Sequence, residues 1–193
     1  MSLKINLSCL CLLFFSLFIR GQAHCSLEKS TFDLYRVESN DLECIARQSS
    51  HPNTIFYTFA RWCKPCLYHL PTFMSIAKHY DVDLYVLLID GEGDKMVGLA
   101  KEYILEDYPD AKILILKDGV KKGKKNKYRE FLKEVSPPNF DVIDSMSKYF
   151  VYNKQGELKL ITSYKDKKDD PDWRDSKPMV KRLVLPLLQK KHN

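Results

Sequence analysis

Hydrophobic residues form short unbroken runs in some parts of this chain and helix-spaced patterns in others. The run from Thr54 to Ala60 consists of β-branched, aromatic and other small or apolar residues, and a second run extends from Val82 to Ile89. Such runs are typical of strands in a sheet that is covered on both faces. Between them, apolar residues recur at spacings of three and four, which predicts an amphipathic helix containing Cys66, Leu70, Phe73 and Ala77. The pattern therefore predicts a βαβ unit with parallel strands.

Beyond this unit the pattern predicts another helix and another strand. The helix extends from about Lys95 to Glu106, and one face is expected to bury Met96, Leu99, Ala100 and Tyr103. The run from Ala111 to Leu116 predicts the strand. Glycines and lysines then mark residues 118–127 as a loop, followed by a short helix over residues 127–135.

The last third of the chain predicts a hairpin and a closing helix. Two strand patterns between Lys148 and Thr162 are joined by a turn at residues 153–156, which indicates antiparallel pairing. Ser176 is expected to cap the closing helix, with Pro178 in its first turn. The elements together predict an α/β domain.

The first 23 residues are predicted to be a secretory signal peptide. Lys4 precedes an apolar run from Leu7 to Ile19, and a small-x-small pattern follows at residues 21–23. The run falls short of the roughly 20 residues that a membrane-spanning helix requires. Residues 24–193 are then the exported domain, with a periplasmic location, and lipid attachment at Cys25 is a less favoured alternative.

The formal charge of the chain is +6, and its basic excess is concentrated in one cluster. Elsewhere the surface is expected to be near charge balance, so no nucleic-acid partner is predicted. The cluster is interpreted as a solvated loop, while contact with an acidic partner or anionic lipid stays open. Its members are Lys117, Lys121, Lys122, Lys124, Lys125 and Lys127.

The candidate chemistry lies in a C-x-x-C motif directly after the first buried run. Cys63 is placed at the start of the following helix, where free backbone N–H groups, the helix dipole and Lys64 stabilise a thiolate. Cys66 lies one turn further along, on the apolar face. Cys63 is therefore the predicted nucleophile and Cys66 the predicted resolving cysteine.

The stretch from Phe59 to Cys66, followed by Pro71, resembles the active-site motif of the thioredoxin-like family. Tyr35–Val37 and the helical residues 41–47 resemble the first strand and helix of that fold. With an export signal in front, the chain is most similar to the TlpA and ResA type of thiol-disulfide oxidoreductase. The resemblance implies a thioredoxin-like fold, with a mixed central sheet flanked by helices and a core at about residues 32–110 and 141–190. An insertion at about residues 111–140 separates the βαβ and ββα halves.

Two positions depart from the family pattern. Ser147 stands where thioredoxin-like proteins have a cis-proline beside the cysteine pair, so Met146 would present its backbone to substrate without that rigid bond. Tyr57 stands where thioredoxin has a buried carboxylate that helps to deprotonate the resolving thiol. Glu43, Asp90 or water is left as the proton acceptor. Trp62 is expected to shape the contact surface, together with Pro65.

Four cysteines remain after the signal peptide leaves with two, and an exported compartment permits disulfides. Pairing within the C-x-x-C motif leaves Cys25 and Cys44, either as a structural disulfide or as two unrelated thiols. His69 is interpreted as a surface histidine that helix periodicity turns away from Cys63, rather than as a third metal ligand.

The sequence thus predicts an enzyme of cell redox homeostasis that needs no bound cofactor or metal. Its partners would be proteins containing disulfides and an exported or membrane-borne electron donor. Pro65 resembles reducing members of the family, whereas Lys64 favours oxidant behaviour, and reduction is the preferred direction. The alternatives are a soft-metal protein that binds an ion such as Cu(I) through Cys63 and Cys66, and a redox-inactive interaction module.

Overall fold

The computed structural model describes residues 25–118, 124–138, 140 and 142–191. The predicted signal peptide, residues 1–23, lies outside them. Among the described residues, no helix is both long enough and apolar enough to cross a membrane.

A mixed sheet forms the centre of the described chain, and its strand order is β1-β4-β3-β2-β5-β6. The first four strands in this order are parallel, whereas β5 is antiparallel to β2 and β6 is antiparallel to β5. The strands are β1 (Tyr35–Val37), β2 (Asn53–Phe59), β3 (Val82–Leu88), β4 (Lys112–Leu116), β5 (Tyr149–Asn153) and β6 (Leu158–Ile161).

Helices connect the strands and close the domain. They are α1 (Ser39–Gln48), α2 (Lys64–Ser75), α3 (Lys95–Asp107), α4 (Lys124–Val135) and α5 (Lys177–Met179). The chain continues from α5 as a π-helical turn at Val180–Val184 and a 3₁₀ turn at Leu185–Leu187. The β1-α1-β2-α2-β3 half and the β5-β6-α5 half confirm the predicted thioredoxin-like fold.

The strand of the predicted insertion joins the central sheet. β4 pairs with β3 on one side and with β1 on the other, with Leu114 opposite Tyr35. β4 therefore separates β1 from β3 in the sheet. This widens the sheet at the edge remote from the hairpin.

β2 is the most deeply buried strand, and all seven of its residues are buried. Its Tyr57 ring stacks on Phe73 of α2 and packs against Tyr149 of β5. These ring contacts fix α2 over the carboxyl end of β2, which is where the C-x-x-C motif begins.

Three local predictions were wrong in detail. The buried residues of α3 are Val97, Ala100 and Ile104, whereas Leu99 is exposed, so the helix is rotated relative to the predicted face. α4 begins at Lys124 instead of residue 127. Ser176 precedes α5 but its side chain does not cap the helix; its hydroxyl lies 3.5 Å from that of Tyr149.

Candidate redox site

The cysteine pair lies at the junction of β2 and α2. β2 ends at Phe59, and Cys63 occupies the N-cap position of α2. The Sγ of Cys63 accepts a hydrogen bond from the backbone N–H of Cys66 at 3.2 Å, and the two sulfurs form a disulfide. This N–H is one of those that a helix cannot satisfy internally, so the site offers the same donor to a thiolate at Cys63.

The two cysteines differ in their access to solvent. Cys63 retains 5% of its accessible surface, whereas Cys66 retains none. Lys64 is exposed beside them, and Pro65 lies in the first turn of α2, where its missing N–H has no cost. An incoming sulfur can therefore meet Cys63 first, and Cys66 is placed behind it.

Ser147 lies next to the cysteine pair in a left-handed backbone conformation, with φ of 63°. Its Oγ lies 2.9 Å from the hydroxyl of Tyr57 and 2.6 Å from Nδ1 of His69. The following residue is held to β2, because the backbone N–H of Lys148 donates to Oγ1 of Thr58 at 2.9 Å. The position of the expected cis-proline is thus occupied by a serine whose side chain is bonded on two sides.

His69 is not the surface residue that the sequence predicted. It is 3% exposed, and its Nε2 lies 2.9 Å from the carbonyl oxygen of Trp173. Burial lowers the pKa of His69 to about 4, so the ring is neutral near pH 7. The periodicity argument measured its position from Cys63, but His69 lies three residues after Cys66 and shares the inward face with that residue.

A groove of about 730 Å³ opens over Cys63. Met146 and Ser147 line one side of it, and residues of the segment 163–173 after β6 line the other. Three exposed aromatic side chains stand around the groove, Trp62, Tyr164 and Trp173, and the last packs edge-on against Tyr68. The groove presents mainly apolar surface, with polar side chains at a few positions.

The structure distinguishes among the groups considered as acceptors for the proton of the Cys66 thiol. The hydroxyl of Tyr57 donates to the carbonyl of Cys66 at 3.0 Å, and burial raises the pKa of Tyr57 well above its ordinary value, so it stays protonated. Glu43 pairs with Arg47, which also contacts the carbonyl of Gln155 in the turn between β5 and β6. Glu43 is therefore remote from Cys66.

Asp90 lies at the end of β3 and accepts a hydrogen bond from the indole N–H of Trp62 at 2.9 Å. The carbonyl of Asp90 also contacts the ammonium of Lys127, which pairs with Asp118 at 2.6 Å. Lys127 is buried in α4, so the prediction that the whole lysine cluster is a solvated loop was wrong for this residue. Side chains 119–125 lie outside the described residues. Lys127 thereby ties α4 to the residue that holds Trp62.

Cys25 and Cys44 form a second disulfide, with their Cα atoms 5.8 Å apart. It links the start of the described chain to α1.

A second cavity, of about 990 Å³, lies beside the disulfide between Cys25 and Cys44. It extends to Asp83, at the end of the sheet opposite the C-x-x-C motif. Because Asp83 is bonded to Lys112, Ser49 and Tyr85, we interpret its burial as structural.

The soft-metal alternative requires free thiolates at Cys63 and Cys66, because the thiolate is the form that binds metal. In the structure these sulfurs are joined to each other. Among the described residues, no group of three or more His, Cys, Asp or Glu side chains is placed to hold a metal ion. His69, the third ligand considered, is engaged by Ser147 and Trp173.

Trp62→Phe is expected to lower the free energy of unfolding by about 1–3 kcal/mol, because the buried carboxylate of Asp90 loses a hydrogen-bond donor. Trp173→Phe is the matched control, since Trp173 is exposed to a similar extent (51% against 48%) and its ring contacts Tyr68. Urea unfolding of both variants measures the difference. Equal effects of the two substitutions would contradict an anchoring role for the Trp62 indole.

No protein-family model matches the chain, and no curated protein sequence matches it. Among solved structures, the chain is similar to the reduced form of the N-terminal domain of PilB from N. meningitidis, with 16% sequence identity and a TM-score of 0.40. This similarity covers 62% of the present chain and 75% of the PilB chain. A similarity at this level carries no argument about activity, which rests on the geometry around Cys63 and Cys66.

Proposed function

We propose that this protein is an exported thiol-disulfide oxidoreductase of the TlpA and ResA type that reduces disulfides in other proteins. The observation that carries the proposal is the placement of Cys63. Its sulfur lies at the amino end of α2, accepts the N–H of Cys66 and lines the groove. Cys63 and Cys66 lie one helical turn apart and are joined by a disulfide at the wall of the groove, which is an arrangement suited to thiol-disulfide exchange.

In the reduced enzyme, the Cys63 thiolate attacks one sulfur of the substrate disulfide. The substrate S–S bond breaks, a mixed disulfide forms, and the departing substrate sulfur carries away the electron pair. Cys66 then loses its proton and attacks Sγ of Cys63, which releases the second substrate sulfur. The proton from Cys66 ends on a departing sulfur. The substrate gains two electrons, and Cys63 and Cys66 become the disulfide.

Two features support export. The apolar run and small-x-small pattern at residues 7–23 fit a signal peptide. Disulfides persist in oxidising compartments, and the chain has a second one at Cys25 and Cys44. An exported or membrane-borne dithiol donor would return the pair to its reduced form, with no bound cofactor. In this view the protein maintains thiol redox balance in the periplasm.

The proposal is tested by equilibrating the purified protein in glutathione buffers of graded potential, with alkylation and mass spectrometry of each cysteine. Cys63 and Cys66 are expected to titrate together as a two-electron couple with a midpoint near or below about −230 mV. Cys25 and Cys44 are the internal control, because a structural disulfide should remain oxidised over this range.

Other outcomes would replace the proposal. A midpoint near about −120 mV would make the protein an oxidant. A pair that never reacts would make it a redox-inactive module. Purified protein that carries one bound copper or zinc ion on Cys63 and Cys66 would make it a soft-metal protein.

A further inference from the structure

The backbone at Ser147 requires support from its surroundings. A non-glycine residue with φ of 63° is in a region that L-residues rarely adopt, and such a residue persists only where neighbouring contacts stabilise it. Ser147 follows Met146 in the chain and both residues line the groove, so an extended substrate that adds as a strand would meet this edge. The shape of this edge of the groove therefore depends on what holds Ser147.

Two side chains from other elements hold the Ser147 hydroxyl. The hydroxyl of Tyr57 in β2 lies 2.9 Å away and also bonds to the carbonyl of Cys66 at 3.0 Å. Nδ1 of His69 in α2 lies 2.6 Å away. Both contacts lead to the helix that carries the cysteine pair, so the Met146 side of the groove is fixed relative to Cys63.

The other ring nitrogen of His69 contacts the opposite side of the groove. Nε2 lies 2.9 Å from the carbonyl of Trp173, and the ammonium of Lys167 lies 2.7 Å from the same carbonyl. The same ammonium lies 2.8 Å from Nε2 and can only donate, so Nε2 accepts from Lys167 and the neutral ring carries its proton on Nδ1. Nδ1–H then donates to Oγ of Ser147, and the Ser147 hydroxyl donates to the hydroxyl of Tyr57. One neutral imidazole thus bonds to both sides of the groove at once.

We propose that His69 is a positioning residue for substrate binding, which joins Ser147 on one side of the groove to Lys167 on the other and thereby holds Met146 ready for an extended peptide. The inference rests on the proposed function and names its substrate class: unfolded or extended protein segments that contain a disulfide. Hydrogen bonds from a histidine would here supply the rigidity that the family obtains from a cis-proline.

The test compares two disulfides of different size on the reduced protein. A small disulfide such as cystamine needs only Cys63, whereas an extended peptide that carries a disulfide also needs both sides of the groove. In His69→Asn the shorter side chain cannot bridge the two sides. We expect the rate constant with the peptide to fall about tenfold, as for the loss of one or two hydrogen bonds, while the rate constant with cystamine stays within about twofold.

Ser147→Ala removes the same contact from the other partner, and it serves if His69→Asn does not fold. Because the two residues act through one contact, the double variant should be no slower with the peptide than the slower single variant. His79→Gln is the matched control, since His79 is an exposed histidine just beyond the same helix, and it should leave both rates unchanged.

The outcomes separate this inference from the proposed function. If the variants react with both disulfides as the wild type does, His69 has no positioning role, although the oxidoreductase function stands. If both rates fall equally, His69 acts on the cysteine pair itself and the inference is overturned. If the wild type reacts with neither disulfide, both the function and the inference are wrong.

Discussion

Cys63→Ser is expected to abolish the reduction of protein disulfides, with a loss of more than about a thousandfold, because no other cysteine among the described residues lines the groove to replace the nucleophile. Cys66→Ser is expected to have a different result. The first step still occurs on Cys63, but the buried serine cannot resolve the intermediate, so a mixed disulfide between Cys63 and the substrate accumulates. Non-reducing electrophoresis and mass spectrometry of the trapped species distinguish the two variants.

The paired variant Cys25→Ser with Cys44→Ser is the control for loss of a disulfide. Its activity should be preserved, because this bond lies between the start of the described chain and α1. Its stability should fall by about 3 kcal/mol, as expected for a loop of this length. The opposite result would be a mixed disulfide that accumulates on Cys66 in the Cys63→Ser variant, with none on Cys63 in the Cys66→Ser variant. That result would reverse the assigned roles and contradict the greater exposure of Cys63.

The parts of the fold that the sequence predicted well depend on local patterns. The β2 strand, the C-x-x-C motif and α2 follow one another within 23 residues, so periodicity and helix capping suffice to place them. The hairpin of β5 and β6 is likewise local, with its turn closed by a hydrogen bond from Gly156 N–H to the carbonyl of Asn153. Gly156 adopts φ of 75° there, which a glycine accommodates without strain.

The remaining features depend on contacts between distant residues. The partners of His69 lie 78 and 98 residues further along the chain, and no spacing within α2 contains that information. The same holds for Lys127, whose burial depends on Asp118 and on the end of β3. A hydrophobic run predicts that β4 is a strand, but it does not specify the neighbours of that strand in the sheet. In the structure these neighbours are β1 and β3.

The buried His69 also predicts a loss of stability in acid. Burial, assisted by the ammonium of Lys167, lowers the pKa of His69 from 6.5 to about 4, although the Trp173 carbonyl and Asp175 partly oppose this. The unfolded chain therefore binds a proton at His69 between pH 6.5 and pH 4 that the folded protein does not bind. Since stability falls wherever the unfolded state binds more protons, acidification across this window should cost about 3 kcal/mol through this one group.

The measurement is urea unfolding at pH 7 and pH 4 of the wild type, His69→Gln and His79→Gln. Carboxylates contribute to the acid sensitivity of all three proteins, so the informative quantity is the difference between their losses. Glutamine keeps a polar group in the buried position but cannot take up a proton, so His69→Gln should lose about 3 kcal/mol less than the wild type between the two pH values. His79→Gln should follow the wild type, because His79 is exposed and lies outside the buried contacts of His69. Equal losses in the wild type and His69→Gln would mean that the folded protein opens around His69 to admit the proton, which would also contradict a rigid connection between the two sides of the groove.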